Sequence, residues 1–224
     1  MMVSNNSISN GDTNKQVQVR LLDAAEGLFC ENGFAGTSIR DITSEAKCNV
    51  AAVNYHFGGK EKLYFEVFRR RMTMLRDARI ASIEKVMSQD GREPALEELI
   101  RAFAIAFIEP LVDKSRGQRF IKLMIREMLD PHLPKRMFAE QVAIPTLNAL
   151  GKAMARVCPG LRQKETVMSI ISVIGQLMHA IHLNEVFRAG EDTGLPIPNL
   201  TEMVEHIVKF STAGIRAMVK KADK

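Results

Sequence analysis

The stretch from Thr37 to Lys60 concentrates side chains suited to holding a nucleic acid. Asn49, Ala51, Ala52, Asn54, Tyr55, His56 and Lys60 are interleaved there with the apolar Val50, Val53 and Phe57. At about 100° per residue on an α-helix the three apolar residues share one side, which turns Ala51, Ala52, Tyr55 and His56 outward with Asn54 at the margin. An asparagine amide can pair with adenine, an alanine methyl packs on a thymine methyl, and small residues let the helix backbone approach base edges. Tyrosine, histidine and lysine donate to phosphate oxygens. Lys60 stands beside the free N–H groups of a following helix, whose start concentrates donors and positive potential. Thr37 and Ser38, just upstream, add two hydroxyls to the candidate DNA-facing set.

A second group carries different chemistry. His179 and His182, three residues apart with Glu185 three further on, have the spacing to ligate a metal on one helical face. The alternative reading is therefore a small helical metal-dependent enzyme. Against it stand ordinary buried or interfacial histidines and the absence of Gly-x-Ser-x-Gly, His-Glu-x-x-His, P-loop and dinucleotide fingerprints. No cofactor is expected.

Helical spacing recurs throughout and strict alternation is hard to find, so the expected class is all-α. Val17, Leu21, Ala25 and Leu28 mark a first helix over 15–31 that Gly33 closes. Ser38 with Asp41 reads as a capping box opening a short second helix with Ile39, Ile42 and Ala46 on its buried stripe. A tight turn at Lys47 and Cys48 leads into a third helix, Asn49 to Phe57, stopped by Gly58 and Gly59. A longer helix opens at Lys60. Beyond Pro94 the spacing predicts helices over 96–112, 118–129, 135–157, 164–189 and 200–219, with the loop 190–199 between the last two. Two short helices braced by a longer first one form a helix-turn-helix arrangement, whose second short helix enters a major groove. The expected organisation is a disordered tail over 1–14, a DNA-binding domain over 15–65, and a helical ligand-binding and dimerisation domain over 66–224.

The run from Gly33 through Thr37, Ser38, Arg40 and Asp41 to Ile42, followed by Asn54-Tyr55-His56-Phe57-Gly58-Gly59-Lys60-Glu61-Lys62-Leu63, resembles the DNA-binding domain of TetR/AcrR-family transcriptional regulators. The resemblance covers Val17 to Val67. It implies that Thr37, Tyr55, His56 and Lys60 grip phosphates while Asn49, Ala51, Ala52 and Asn54 face bases. The sequence departs from the family at the turn, with Lys47 where glycine is usual and Cys48 where valine is frequent, and again at Asn54, where tyrosine is frequent. Phe120 to Pro131 and Gly175-Gln176 look like the CecR-like subfamily. That likeness implies a homodimer that binds operator DNA, most simply as a repressor, and is released by a small amphipathic or aromatic effector; an activator is the alternative.

The wide apolar surface of 164–189, with Val167, Ile171, Ile174 and Met178 among its residues, suits a helix packed on its own core and on a second subunit. A dimer through 164–189 and 200–219 would cover it. An effector pocket is expected among 96–129 and the inner face of 164–189. Phe103, Phe107, Met124, Met128, Phe138 and Met178 are its candidate walls, and Arg126, Glu127, Gln176 and His179 its candidate polar anchors. The Arg69-Arg70-Arg71 run reads as a solvated face or a DNA-backbone contact.

The chain of 224 residues is 46% apolar and 25% charged, which excludes a disordered chain and a disulfide-stapled miniprotein. Three widely spaced cysteines suggest a reducing, cytoplasmic setting. Neither a secretory leader nor an uncharged apolar run of spanning length is expected. The net charge of +5 permits nucleic-acid binding, yet residues 1–60 carry five basic against six acidic side chains. DNA binding would then rest on a few placed donors and show a moderate salt dependence.

Overall fold

The computed structural model describes residues 6–89, 91–113, 116–189, 196 and 198–219. These hold α1 (Asn6–Asn32), α2 (Ile39–Glu45), α3 (Ala51–Phe57), α4 (Lys60–Met87), α5 (Leu96–Val112), α6 (Arg116–Leu129), α7 (Ile144–Val157), α8 (Gln163–Ala189) and α9 (Leu200–Met218), and no strand. The all-α class follows. Helix α1 already runs at Asn6, earlier than the start expected at 15, and most of the loop expected over 190–199 lies outside the described residues.

The chain packs as two compact units. The first comprises residues 1–72 with 114–137, and the second 73–113 with 138–224. The packing thus gives the first half of α4 and all of α6 to the unit that holds α2 and α3, a different division from a cut near residue 65.

In the first unit, Leu21, Ala25 and Phe29 of α1, Ile42 of α2, Val53 of α3, Leu63 and Phe68 of α4 and Leu123 of α6 form a solvent-free core. Phe29 meets Tyr64 edge to face at 4.9 Å, the geometry the ring quadrupoles favour. The arginine run of α4 is solvated at Arg69, half-buried at Arg70 and largely buried at Arg71, and each of the three meets a carboxylate. Arg69 pairs with Glu66, Arg70 with Asp23, and Arg71 lays its Nε 2.8 and 2.9 Å from the two oxygens of buried Glu26. Two of these pairs fasten α4 to α1.

In the second unit, Leu99, Ile100 and Phe103 of α5 pack in a core that includes Leu150, Met154, Leu177 and Val208. Arg101 makes a two-pronged bond to Glu205 at 2.7 and 2.8 Å, and Arg216 pairs with Glu97, so α5 and α9 are tied by charge as well as by apolar contact. The helix expected over 135–157 runs from 137 to 157, with a π-helical turn, Ala139–Ala143, inserted ahead of α7. Pro145 lies in the first turn of α7; lacking an N–H, it cannot complete the regular ladder there.

Helix α8 differs from expectation in another respect: Gln163–Asn184 is long and apolar enough to meet the composition of a bilayer-crossing segment. The burial of Ile170, Val173, Leu177 and Ile181 accounts for one side of that apolar character as core.

Candidate functional site

Local rules build the α2–α3 unit. Ser38 caps α2: its Oγ accepts from the Asp41 N–H at 3.1 Å, while its own N–H donates to the Asp41 carboxylate at 3.0 Å. The Ser38 hydroxyl, followed by its N–H, holds the Asp41 carboxyl below the ordinary aspartate range. After α2 the chain turns through Lys47 at φ 52°, the one non-glycine residue with positive φ among those described, and the Cys48 N–H closes onto the Thr43 carbonyl at 3.0 Å. A lysine therefore occupies the left-handed position where the turn favours glycine. Asn49 Oδ1 accepts from the Ala51 N–H at 2.9 Å and opens α3, which Gly58 ends at φ 73°. Val50, expected on the inner face, is 47% exposed, because the helix proper starts one residue later; Val53 alone is fully buried, and Phe57 is half-buried.

On the opposite side of α3, Ala51, Asn54 and Tyr55 are exposed, Tyr55 to 78%, and Ala52 and His56 are half-buried. The Tyr55 and His56 rings meet edge to face at 4.9 Å, which orients both. Neither the Asn54 amide nor the Tyr55 hydroxyl has a hydrogen-bond partner among the described residues, so their donors and acceptors are free for a ligand. Lys60, half-buried, rests its Nζ 4.3 Å from the Phe34 ring centroid. That contact positions the ammonium at the first turn of α4, where the N–H groups of Lys60, Glu61 and Lys62 precede the first regular bond, Leu63 N–H to Gly59.

Two of the expected residues are not presented. Thr37 is 2% exposed and its hydroxyl lies 2.8 Å from the Gly33 carbonyl and 3.1 Å from that of Leu28, so it braces the end of α1. Ser38 is exposed, but its hydroxyl is taken by the cap. Sequence reasoning missed Lys62, which is exposed and runs alongside Gly58 at the α3–α4 junction. Its place two residues after Lys60, still in the first turn, was the available signal.

The residues expected to line an effector pocket divide between the two units. Arg126 donates from Nε to the Cys30 carbonyl at 2.9 Å and from Nη2 to that of Glu31 at 2.7 Å, capping the end of α1. Glu127 accepts from the Tyr64 hydroxyl at 2.9 Å and from the N–H groups of His132 and Leu133 at 2.8 and 2.7 Å. Burial, followed by that carboxylate, pushes the Tyr64 phenol above its ordinary range. Met124 is half-buried and Met128 is 79% exposed, and both belong with Arg126 and Glu127 to the first unit. Phe103 and Phe107 are buried in the second unit, where Gln176 bonds Ser211 at 3.1 Å, while Phe138, Met178 and His179 are exposed. Periodicity could not separate these fates, since α6 spends its polar residues on α1 and α4. A shallow cavity of about 480 Å³ lies instead in the first unit, lined by Cys30, Glu31, Lys122, Ile125 and Arg126. His179 and His182 are exposed, the Glu185 side chain lies outside the described set, and no cluster of three metal-ligating side chains occurs among the described residues.

Residues 21–67 match the family model for bacterial regulatory proteins of the tetR family, and residues 96–215 match that for the C-terminal domain of the HTH-type transcriptional dual regulator CecR. The chain is 37% identical over 121 residues to an HTH-type transcriptional repressor of Mycobacterium tuberculosis, a match covering 54% of this chain and 61% of the relative's length. It is 26% identical over 185 residues to the dual regulator CecR of Shigella flexneri, covering 80% of this chain and 78% of that one. The crystal structure of a TetR family transcription regulator from Marinobacter aquaeolei shares the fold, with a TM-score of 0.65 at 16% identity over 89% of this chain and 95% of that one.

Proposed function

Because the chain belongs to the TetR family of bacterial regulatory proteins and carries a CecR-type C-terminal domain, we propose that it is a homodimeric, effector-responsive repressor that binds palindromic DNA in the cytoplasm. The observation that carries this reading is the α3 face, with Ala51, Asn54 and Tyr55 exposed on a helix pinned from behind by Val53. Ala51, Ala52 and Asn54 face bases. Asn49, at the start of α3, faces the bases with them, Tyr55, His56, Lys60 and the α4 N-terminus hold the phosphates on either side, and Thr37 and Ser38 set the α1–α2 junction that aims the helix. The alternative of a metal-dependent enzyme gains no support from the regulators the chain resembles, and repression is favoured over activation by the repressor of M. tuberculosis.

In a dimer the two α3 helices would enter successive major grooves about 34–36 Å apart. Helix α4 gives its first half to one unit and its second half to the other, so an effector that binds one state of the second unit more tightly would shift the spacing of the reading helices. Unchanged operator affinity in protein saturated with its effector, at fixed salt, would refute this mechanism of release.

Phosphate contacts neutralise charge without reading sequence. Lys60→Ala is expected to weaken binding to specific and random duplexes alike and to lower the slope of log affinity against log salt by about one per subunit. Tyr55→Ala should weaken both without that change in slope. Fluorescence anisotropy across a salt series reads both effects, and a Lys60→Ala slope equal to that of wild type would contradict the phosphate role.

Dimerisation is assigned to α8 and α9. Val167, Ile171, Met178 and Val186 expose an apolar stripe at spacings of four, seven and eight along α8, and Phe210 of α9 is exposed and stacked on His206. Ile171→Asp would bury a charge in that interface and should yield a folded monomer by sedimentation, with operator affinity lost alongside. A dimer undiminished by the substitution would move the interface elsewhere.

A further inference from the structure

We propose that Arg79, on the second half of α4, anchors a small monocarboxylate with an apolar body in the second unit, seated against Phe107. The proposal deepens the effector reading above, since it names the chemistry an effector would present. Arg79 is the only arginine among the buried polar residues, at 5% exposure, and its Nε is buried without a hydrogen-bond partner. No carboxylate among the described residues pairs with it, whereas Arg71, Arg101 and Arg216 each reach one. Desolvation alone pulls its pKa down to about 10, so it stays cationic at neutral pH. A buried cation without a counter-ion is a net cost to the fold unless a partner arrives.

The geometry says what kind of partner. The guanidinium carbon lies 3.9 Å from the Phe107 ring centroid, so one face of the cation is covered by the ring. The buried Nε–H still lacks an acceptor in the protein, and a guanidinium edge matches the two oxygens of a carboxylate. Leu75 and Ile83, four residues to either side of Arg79 on α4, are buried, as is Phe103, whose ring lies 5.9 Å from that of Phe107. Those neighbours suit an apolar body with a single charge, and no second buried arginine or lysine is present among the described residues to balance a dianion.

The test uses the full-length protein with sodium benzoate and sodium octanoate as probes and benzamide as the neutral control, read by calorimetric titration and by Tm. Wild type should bind at least one carboxylate saturably. Arg79→Met should lose about tenfold or more of that affinity with benzamide unaffected, and Arg79→Lys, which keeps the charge without the planar edge, should fall between. Ligand-free Arg79→Met should melt no lower than wild type, because an apolar chain of similar length replaces an unpaired buried charge. No binding of either carboxylate up to about 10 mM overturns the proposal, as does equal binding by Arg79→Met. So does a ligand-free Tm that falls well below wild type in Arg79→Met, which would mark a structural arginine. Failure of Arg79→Met to fold is the extreme of that loss and overturns the proposal likewise, as does unchanged carboxylate affinity in Arg79→Lys. The two readings fail separately. Carboxylate binding that leaves operator affinity unchanged refutes the effector role and keeps the site, whereas release by neutral compounds alone, without carboxylate binding, does the reverse.

Discussion

Asn54→Ala is expected to cut affinity for the palindromic operator by between about 30-fold and 10⁴-fold, while leaving retention on random duplex almost unchanged. One bidentate asparagine–adenine contact discriminates by about 1–3 kcal/mol, and a dimer makes it twice, giving about 2–6 kcal/mol in all. The side chain is exposed and unpaired in the free protein, so its removal leaves no buried group unsatisfied and should move stability by no more than about 0.5 kcal/mol. An unchanged Tm would therefore locate the loss in recognition. Equal losses on operator and random DNA would contradict the base-reading role.

Glu26→Ala should cost the first unit about 3–5 kcal/mol, the scale set by breaking a buried ion pair from one side. Glu26 is 4% exposed, and the Arg71 side chain that grips it with two nitrogens is itself largely buried, so the substitution strands a desolvated guanidinium between α1 and α4. The double change Glu26→Leu with Arg71→Met removes both charges and should recover most of the loss. Urea unfolding followed by far-UV dichroism reads the difference as a lowered midpoint for the first transition, since a two-unit chain need not unfold in one step. A single-variant loss under about 1 kcal/mol would show that the pair is solvated.

Helix existence was legible in the chain because apolar spacing and caps agree locally. The Ser38–Asp41 box, the stop at Gly58 and the start at Lys60 all lie where spacing places them. What spacing could not convey is which polar residues tertiary structure consumes. Arg126 and Glu127 look like ligand anchors on a helical wheel, yet one caps α1 and the other accepts three hydrogen bonds within the first unit. Thr37 follows the same logic, as a hydroxyl four residues after Gly33 whose bond to that carbonyl depends on the turn between them. Lys47 hides in the opposite way, since a left-handed lysine leaves no mark in composition or period. Asn54 and Tyr55 were readable because exposed residues on a short helix answer to the wheel alone.

Under the proposed function, α3 is the element that reads the DNA sequence. Selection of bound sites from a random duplex pool, with wild type and Asn54→Ala side by side, tests it whatever the sequence of the operator. The expected result is enrichment of a two-fold symmetric site whose half-sites lie one helical turn apart, with a changed base preference in the Asn54→Ala pool. Failure of wild type to enrich any sequence, or the same motif emerging from both pools, would contradict the claim.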